Sequence, residues 1–335
     1  MSYKLKVGPQ INIVGNQDAT QWLYGEPTIC VLIGCTKPGE FGANDCLWVG
    51  RHYENGFDPN NPSGGGWSSV PETAAGEYIN KYLKADIQAR PEIKLWQISN
   101  EPIISTAGVM VWYALFSAEC ARILRQDYRS DIHPEGLTAV IGNWSVGLPD
   151  TALDLWPYWE PALTACLVHG AVGGRHSYGP LDVYYALRHR LDNQRFTELG
   201  FPNLPVIINE CGAENLYADG VQVFQTWRAQ FGDAEGYKTY LAQLDTELKA
   251  DSYVLGASVF TYGMNWADHN LNDSLVGAKM RGYAGTQFDF EIALPVPGNP
   301  PPIPPPADGA THVVNVIDKA TGLPFPPGTP VLNVR

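Results

Sequence analysis

The chain predicts a (β/α)8 TIM barrel, an α/β fold in which a closed ring of parallel strands is wrapped by helices. Three observations predict it. Apolar runs of strand length recur eight times before residue 292, helical patterns lie between most of them, and several runs are apolar on successive residues, as strands covered on both faces are. Helices between strands demand parallel pairing, and an eightfold alternation closes most naturally on itself. An open doubly wound sheet is the competitor, but no GxGxxG opens a helix after the first strand and no Walker loop occurs.

The first two runs are QINIV (10–14) and TICVLI (28–33), joined by a stretch that reads as a loop or short helix. The connection 34–45 reads the same way and leads to the third run, CLWVG (46–50). A helix is expected over 71–89, with Pro71 in its first turn, where its missing N–H costs nothing. The fourth run is IKLWQIS (93–99). After it, Ser105 or Thr106 can cap a helix in which Val109, Trp112, Tyr113, Phe116, Cys120, Ile123 and Leu124 recur at intervals of three and four, which is one buried helical face. TAVIG (138–142), AVGGRH (171–176), PVIINE (205–210) and GASVF (256–260) follow as runs five to eight, with helices near 151–168, 180–198 and 234–250 between them.

The barrel is therefore expected over 1–292. At that point the composition changes: ALPVPGNPPPIPPPADG (293–309) reads as a proline-rich linker that runs extended and joins neither sheet nor helix. Residues 310–335 are too few for a domain. Their closing LNVR resembles the opening strand of bacterial SH3-like modules, so this C-terminal extension reads as the start of such a module.

Charge and composition exclude several function classes. Net charge is −13, from 22 Lys and Arg against 35 acidic residues, with no basic run, so a phosphate-tracking surface and a nucleic-acid partner are not expected. No stretch approaches the roughly 18 apolar residues of a membrane span, and MSYKLKVGPQ holds no apolar core of a secretion signal. A soluble monomer is expected, its compartment open, with secretion or wall association of a full-length protein left standing. The six cysteines sit at irregular spacings in apolar segments and read as buried thiols, although a short turn could bridge Cys30 and Cys35. The seven histidines show no HExxH or paired ligand spacing, so neither a catalytic metal nor another cofactor is expected.

In such a barrel the C-terminal ends of the strands line the functional site. Two ends carry glutamates: Glu101 after the fourth run, in LWQISNEPI, and Glu210 after the seventh. They stand 109 positions apart, three strand–helix units of roughly 36 residues, so spacing and barrel support one another. Strands four and seven face each other across the mouth, which lets two carboxyl groups flank a bound sugar. Glycoside cleavage needs that pair, one to protonate the leaving oxygen and one to attack or to activate water.

Asn100-Glu101-Pro102 ending strand four and Ile208-Asn209-Glu210 ending strand seven resemble the signature of clan A glycoside hydrolases, the retaining (β/α)8 families that include cellulases and mannanases. The resemblance covers roughly residues 8–292, and GNWSVG, RHSYG and INECGAEN place it nearest a little-characterised bacterial branch. It implies an oligo- or polysaccharide substrate, Glu101 as general acid/base, Glu210 as nucleophile, and Asn100 as donor or acceptor to the sugar 2-hydroxyl. His176 and Tyr178, in RHSYG, match a His-x-Tyr whose Tyr touches the nucleophile, and Trp266, in FTYGMNW, stands where the clan often puts a sugar platform. Families near the cellulases usually carry Arg at the end of strand two, where this chain reads IGCTKPGEFG; Arg51, after strand three, is the candidate substitute.

Other residues carry two readings each. Arg51 and His52 either bind substrate or balance negative charge at the mouth. Asn143 and Trp144, after strand five, are candidate sugar contacts. Trp67 reads as a distal subsite or a loop anchor, Trp156 and Trp159 as core residues of an outer helix, and Glu214 as a loop residue beyond strand seven. A barrel that binds carbohydrate without cleaving it is the alternative to the enzyme.

Overall fold

The computed structural model describes residues 2–12, 15–34, 37–41, 46–52, 57–149, 153–213, 216–218, 221–223, 226–263, 269–272 and 274–298. Trp266, Glu214, Cys35, most of the expected linker and all of 310–335 lie outside them.

Eight parallel strands close into a barrel: β1 (Val7–Ile11), β2 (Ile29–Ile33), β3 (Leu47–Arg51), β4 (Leu95–Gln97), β5 (Thr138–Trp144), β6 (Val172–Tyr178), β7 (Val206–Gly212) and β8 (Val254–Tyr262), with β8 pairing β1 to complete the ring. This is the predicted (β/α)8 fold, but the strand ends differ from expectation. β1 begins earlier and contains Pro9, and β8 shifts register alongside it, between Val259 and Tyr262. β5, β6, β7 and β8 each run two residues further than their apolar runs, because polar residues continue the ladder into the mouth. β4 is the reverse, only three residues long.

The outer helices follow the apolar patterns. The expected helix 71–89 is continuous, with a π-turn at Ile79–Leu83 between Pro71–Tyr78 and Lys84–Ala89. Thr106, rather than Ser105, caps the helix Ala107–Asp127 by accepting from the Val109 N–H. That helix is long and apolar enough to cross a membrane by composition, with an 18-residue window of mean hydropathy 1.3, a run that reading single apolar stretches passes over. It packs instead as a core helix, with Met110, Tyr113, Phe116, Cys120 and Leu124 buried. The helices Glu160–His169 and His189–Glu198 start later than expected, after a 3-10 turn at Trp156–Trp159 and a series of turns from Pro180.

Two cores result. The larger lies between strands and helices and holds most of the aromatic residues. The smaller fills the lower barrel with Ile29, Val31, Val49, Leu95, Val140, Val172, Ile207 and Leu255. The first described residues and the segment around 290–294 seal it from below. Ser2–Tyr3 pairs antiparallel with Phe290–Glu291, and Ile292 and Leu294 pack against the inner cluster. The first residues of the expected linker continue this seal: the Gly298 N–H donates to the Leu167 carbonyl at 3.0 Å. Gly170, at φ +66°, ends the helix above and has Pro295 and Pro297 where a Cβ would reach. Cys30, Cys166 and Cys211 are free buried thiols, and Cys46 and Cys120 are buried as well.

Candidate active site at the barrel mouth

Above the apolar layer the barrel interior turns polar, and strand alternation decides which residues do this. Leu95 and Gln97 share one face of β4, Val49 and Arg51 one face of β3, and Val172, His176 and Tyr178 one face of β6. Two bulges add to the set. Against β6, β7 pairs Ile208 with Arg175 and then Glu210 with His176, which turns both Asn209 and Glu210 toward the interior. β5 does the same between Gly142 and Trp144, which brings Asn143 inward and sends Trp144 outward beside Arg175.

The buried polar layer is cross-linked. The Asn209 Nδ2 donates to Gln97 Oε1 at 2.5 Å and to Asn143 Oδ1 at 2.9 Å. The Asn143 Nδ2 donates to the carbonyls of Ile98 at 2.6 Å and Val140 at 3.0 Å. Gly174 leaves room for this, since a Cβ there would stand 1.9 Å from Asn143 Oδ1. Gln97 Nε2 in turn reaches Asn100 Oδ1 at 3.2 Å.

Glu210 sits on this layer, its side chain 8% exposed. Arg51 Nη1 is hydrogen-bonded to its Oε1, the Tyr178 hydroxyl donates to its Oε2 at 2.7 Å, and His176 Nδ1 lies 3.4 Å from Oε2. Burial by itself pushes the carboxyl pKa up, but the Arg51 guanidinium, the nearby imidazole and the Tyr178 hydrogen bond outweigh it and hold the group down at about 2. Arg51 also donates through Nη2 to Asn100 Oδ1 at 2.9 Å. The Asn100 Oδ1 is thereby occupied, while its Nδ2 donates to none of the described residues.

Glu101 is presented differently. Its side chain is 42% exposed, and its Oε1 lies 2.8 Å from His176 Nδ1. Both neighbours of that nitrogen are carboxylate oxygens, so Nδ1 carries the imidazole proton and donates it. Nε2 is buried with no hydrogen-bond partner among the described residues. The chain leaves β4 with Ser99 at φ +56° and Glu101 at φ +45°. Neither is glycine, and such a conformation costs on the order of 1 kcal/mol or more each. The Ile98 N–H donates to the Val140 carbonyl at 2.9 Å and the Glu101 N–H to the Asn143 carbonyl at 3.2 Å, which ties the exit to β5.

Glu101, Glu210 and His176 thus converge: one ligand-type atom from each lies within 4.8 Å of the other two. Linear spacing does not reveal this set, since the three come from different strands. It has the donor types of a cation site, but the Arg51 guanidinium already places a positive charge on Glu210, which opposes a metal ion there.

The expected residues Glu101, Glu210, Asn100, Arg51, His176 and Tyr178 therefore meet at one point. Others do not. Trp144 is a core residue, not a sugar contact: its ring packs against Tyr113, Trp156 and Trp159 at centroid distances of 5.4, 6.2 and 5.0 Å, because the β5 bulge turns it outward. Asn143 is fully buried beneath the mouth and holds the polar layer rather than facing solvent. His52 turns away to Asp86, 3.0 Å from Nδ1, and Trp67 is a buried loop anchor against Phe57, Tyr78 and Tyr82. Gln97 and Asn209 join the site although no motif marks them as site residues; strand parity with Leu95 and Ile207 points both inward. His269, its ring 6.3 Å from that of Tyr178, carries no signal in the linear sequence.

No protein-family model and no curated protein matches this chain. Solved structures do. A GH2 β-galacturonidase from Eisenbergiella tayi bound to glycerol superposes with a TM-score of 0.52 at 12% identity over 87% of this chain and 52% of that one. Its galacturonate-bound form gives 0.51 at 11% identity, covering 86% and 52%. The chain thus spans about half the length of the galacturonidase it matches. A GH128 endo-β-1,3-glucanase from Amycolatopsis mediterranei, a mutant form in complex with laminarihexaose, gives 0.47 at 11% identity, covering 83% and 99%. What this chain shares with the galacturonidase at such identity is the fold, a (β/α)8 barrel.

Proposed function

We propose that the protein is a retaining glycoside hydrolase that cleaves β-glycosidic bonds by double displacement, with clan A chemistry at the mouth of its barrel. One observation carries the reading. Two carboxylates from opposite strands, Glu101 and Glu210, approach to within 4.8 Å, in line with the roughly 5–5.5 Å of retaining enzymes and too close for the 6.5–9.5 Å that lets water stand between the pair in inverting ones.

The two environments fit two roles. Glu210 is ionised and fixed by Arg51 and Tyr178, as a nucleophile must be before it attacks the anomeric carbon. As that bond forms, the glycosidic C–O bond breaks and the leaving oxygen takes the Glu101 proton. Glu101, now a carboxylate, then removes a proton from water, whose oxygen attacks the same carbon and releases Glu210 as a carboxylate. Its exposure gives it the contact with water that the second step requires. The unused Nδ2 of Asn100 supplies a hydrogen bond to the sugar beside the reacting carbon, and Arg51 fixes that amide's orientation.

The test is release of reducing sugar or aryl alcohol from a panel of β-aryl glycosides and β-linked polysaccharides, by the protein and by Glu210→Gln. The wild type is expected to cleave at least one member. Glu210→Gln should lose more than the roughly 100- to 10,000-fold contribution of a single proton-transferring group, with its circular dichroism unchanged. Polysaccharide binding with no cleavage by the wild type would instead make this a carbohydrate-binding barrel.

A further inference from the structure

The strained exit of β4 is held by a side chain that belongs to neither the site nor the strand. Tyr113, on the helix Ala107–Asp127, is fully buried, and its hydroxyl donates to the Gly142 carbonyl at 3.0 Å. With that proton spent, the Ser99 Oγ 2.7 Å away is the donor of the second bond, Ser99 to Tyr113. One hydroxyl therefore joins the two irregular strand exits on either side of Glu101. Just past β4 it grips Ser99, two residues before Glu101 and at φ +56°; on β5 it grips Gly142, at φ +95°, next to Asn143 at φ +48°. The Asn143 carbonyl is the acceptor for the Glu101 N–H. A second outer helix adds Tyr78, whose hydroxyl accepts from the Ser99 N–H at 2.8 Å.

We propose that Tyr113 is a positioning residue for Glu101: its hydroxyl bridge from Ser99 to Gly142 sets the left-handed turn that aims the acid/base carboxyl at the leaving oxygen. The inference rests on the glycoside-hydrolase reading. It is separable from mere packing, because the Tyr113 ring is held by stacking on Phe116 and Trp159 and by an edge contact to Trp144, all of which phenylalanine retains. Without the hydroxyl, Ser99 Oγ and the Gly142 carbonyl lose a buried partner and the exit relaxes toward ordinary backbone angles. Glu101 moves while Glu210, on β7, does not.

The experiment compares kcat/KM of wild type and Tyr113→Phe on two glycosides of whichever sugar the wild type cleaves from a 4-nitrophenyl β-glycoside panel. One carries a dinitrophenyl leaving group, which departs without protonation; the other carries phenyl, which needs the acid. The expected result is a loss of roughly tenfold or more on the phenyl glycoside, as a small misplacement of a catalytic group produces, with the dinitrophenyl value within about twofold of wild type. Ser99→Ala, which cuts the same bridge from the other end, should reproduce the pattern, and the double variant should be no worse than either single one. Equal losses on both glycosides, or no loss on phenyl, would overturn the positioning role while leaving the hydrolase reading intact. A wild type that cleaves nothing in the panel would overturn that reading and this inference together.

Discussion

Glu101 and Glu210 stand within 4.8 Å of each other yet reach that point by opposite means. β7 runs on through a bulge at Asn209 and Glu210 to Gly212, so the nucleophile candidate stays within a continuous strand, buried and pinned at both oxygens. β4 stops at Gln97, and the chain passes three more residues, with Ser99 left-handed, before presenting Glu101, itself left-handed and 42% exposed. The difference suits the proposed chemistry. A group that must stay ionised gains from burial among donors, whereas a group that gives and takes protons needs solvent and some freedom. The barrel supplies the first by continuing a strand and the second by breaking one.

Removing the exposed partner should break the comparison most visibly. Glu101→Ala is expected to lower kcat/KM on a phenyl glycoside by roughly 100- to 10,000-fold and on a dinitrophenyl glycoside far less. Added azide should restore turnover and yield a glycosyl azide, which chromatography of the products would detect. An equal loss on both leaving groups would take the acid/base role from Glu101.

The next largest effect is expected from Arg51→Met, which removes the main charge holding Glu210 near a pKa of about 2. A carboxylate whose folded value lies below its unfolded value of about 4.3 contributes stability above that unfolded value, and the contribution is lost as pH falls toward 2. Wild-type urea midpoints should therefore decline between roughly pH 4.5 and 2 more steeply than those of Arg51→Met, in which Glu210 protonates nearer the ordinary range. The variant's activity should also fall off at a higher pH on its acid side. Parallel midpoint curves would show that the ion pair does not govern Glu210.

The smallest change is expected from Tyr178→Phe, which deletes one hydrogen bond of 2.7 Å to the nucleophile candidate. A bond to a charged group contributes about 1.5–3 kcal/mol, so kcat should drop roughly ten- to a hundredfold with KM little altered. Steady-state kinetics on the same glycoside would read it.

Much of this arrangement is legible in the sequence because punctuation there is abrupt. Asn100-Glu101-Pro102 and Asn209-Glu210 interrupt runs otherwise committed to barrel wall, and their separation by three strand–helix units places them across the mouth. What the sequence hides is local backbone geometry. In β5, β6 and β8 the polar residues Asn143, Ser177 and Thr261 read as loop, yet they continue their strands because the mouth they enter is itself polar. In β4 the residues Ile98 and Ser99 read as strand, yet the chain has already turned out of it. Trp144 illustrates the cost of missing a bulge: one extra residue on β5 reverses which of Asn143 and Trp144 faces inward, and an aromatic expected at a sugar becomes part of the wall behind it. The closing of the barrel floor by Leu294 is equally hidden, since a proline-rich composition reads as spacer wherever it lands.

The most direct test is to trap the intermediate. A fluorinated aryl glycoside of the sugar that the protein cleaves forms a slowly hydrolysed glycosyl ester with a retaining enzyme, and peptide mass spectrometry then locates the modified residue. The sugar is expected on Glu210, one per chain, with trapping abolished in Glu210→Gln. Modification of a different carboxylate, or steady cleavage of the natural linkage with inverted product and no ester formed, would contradict the account.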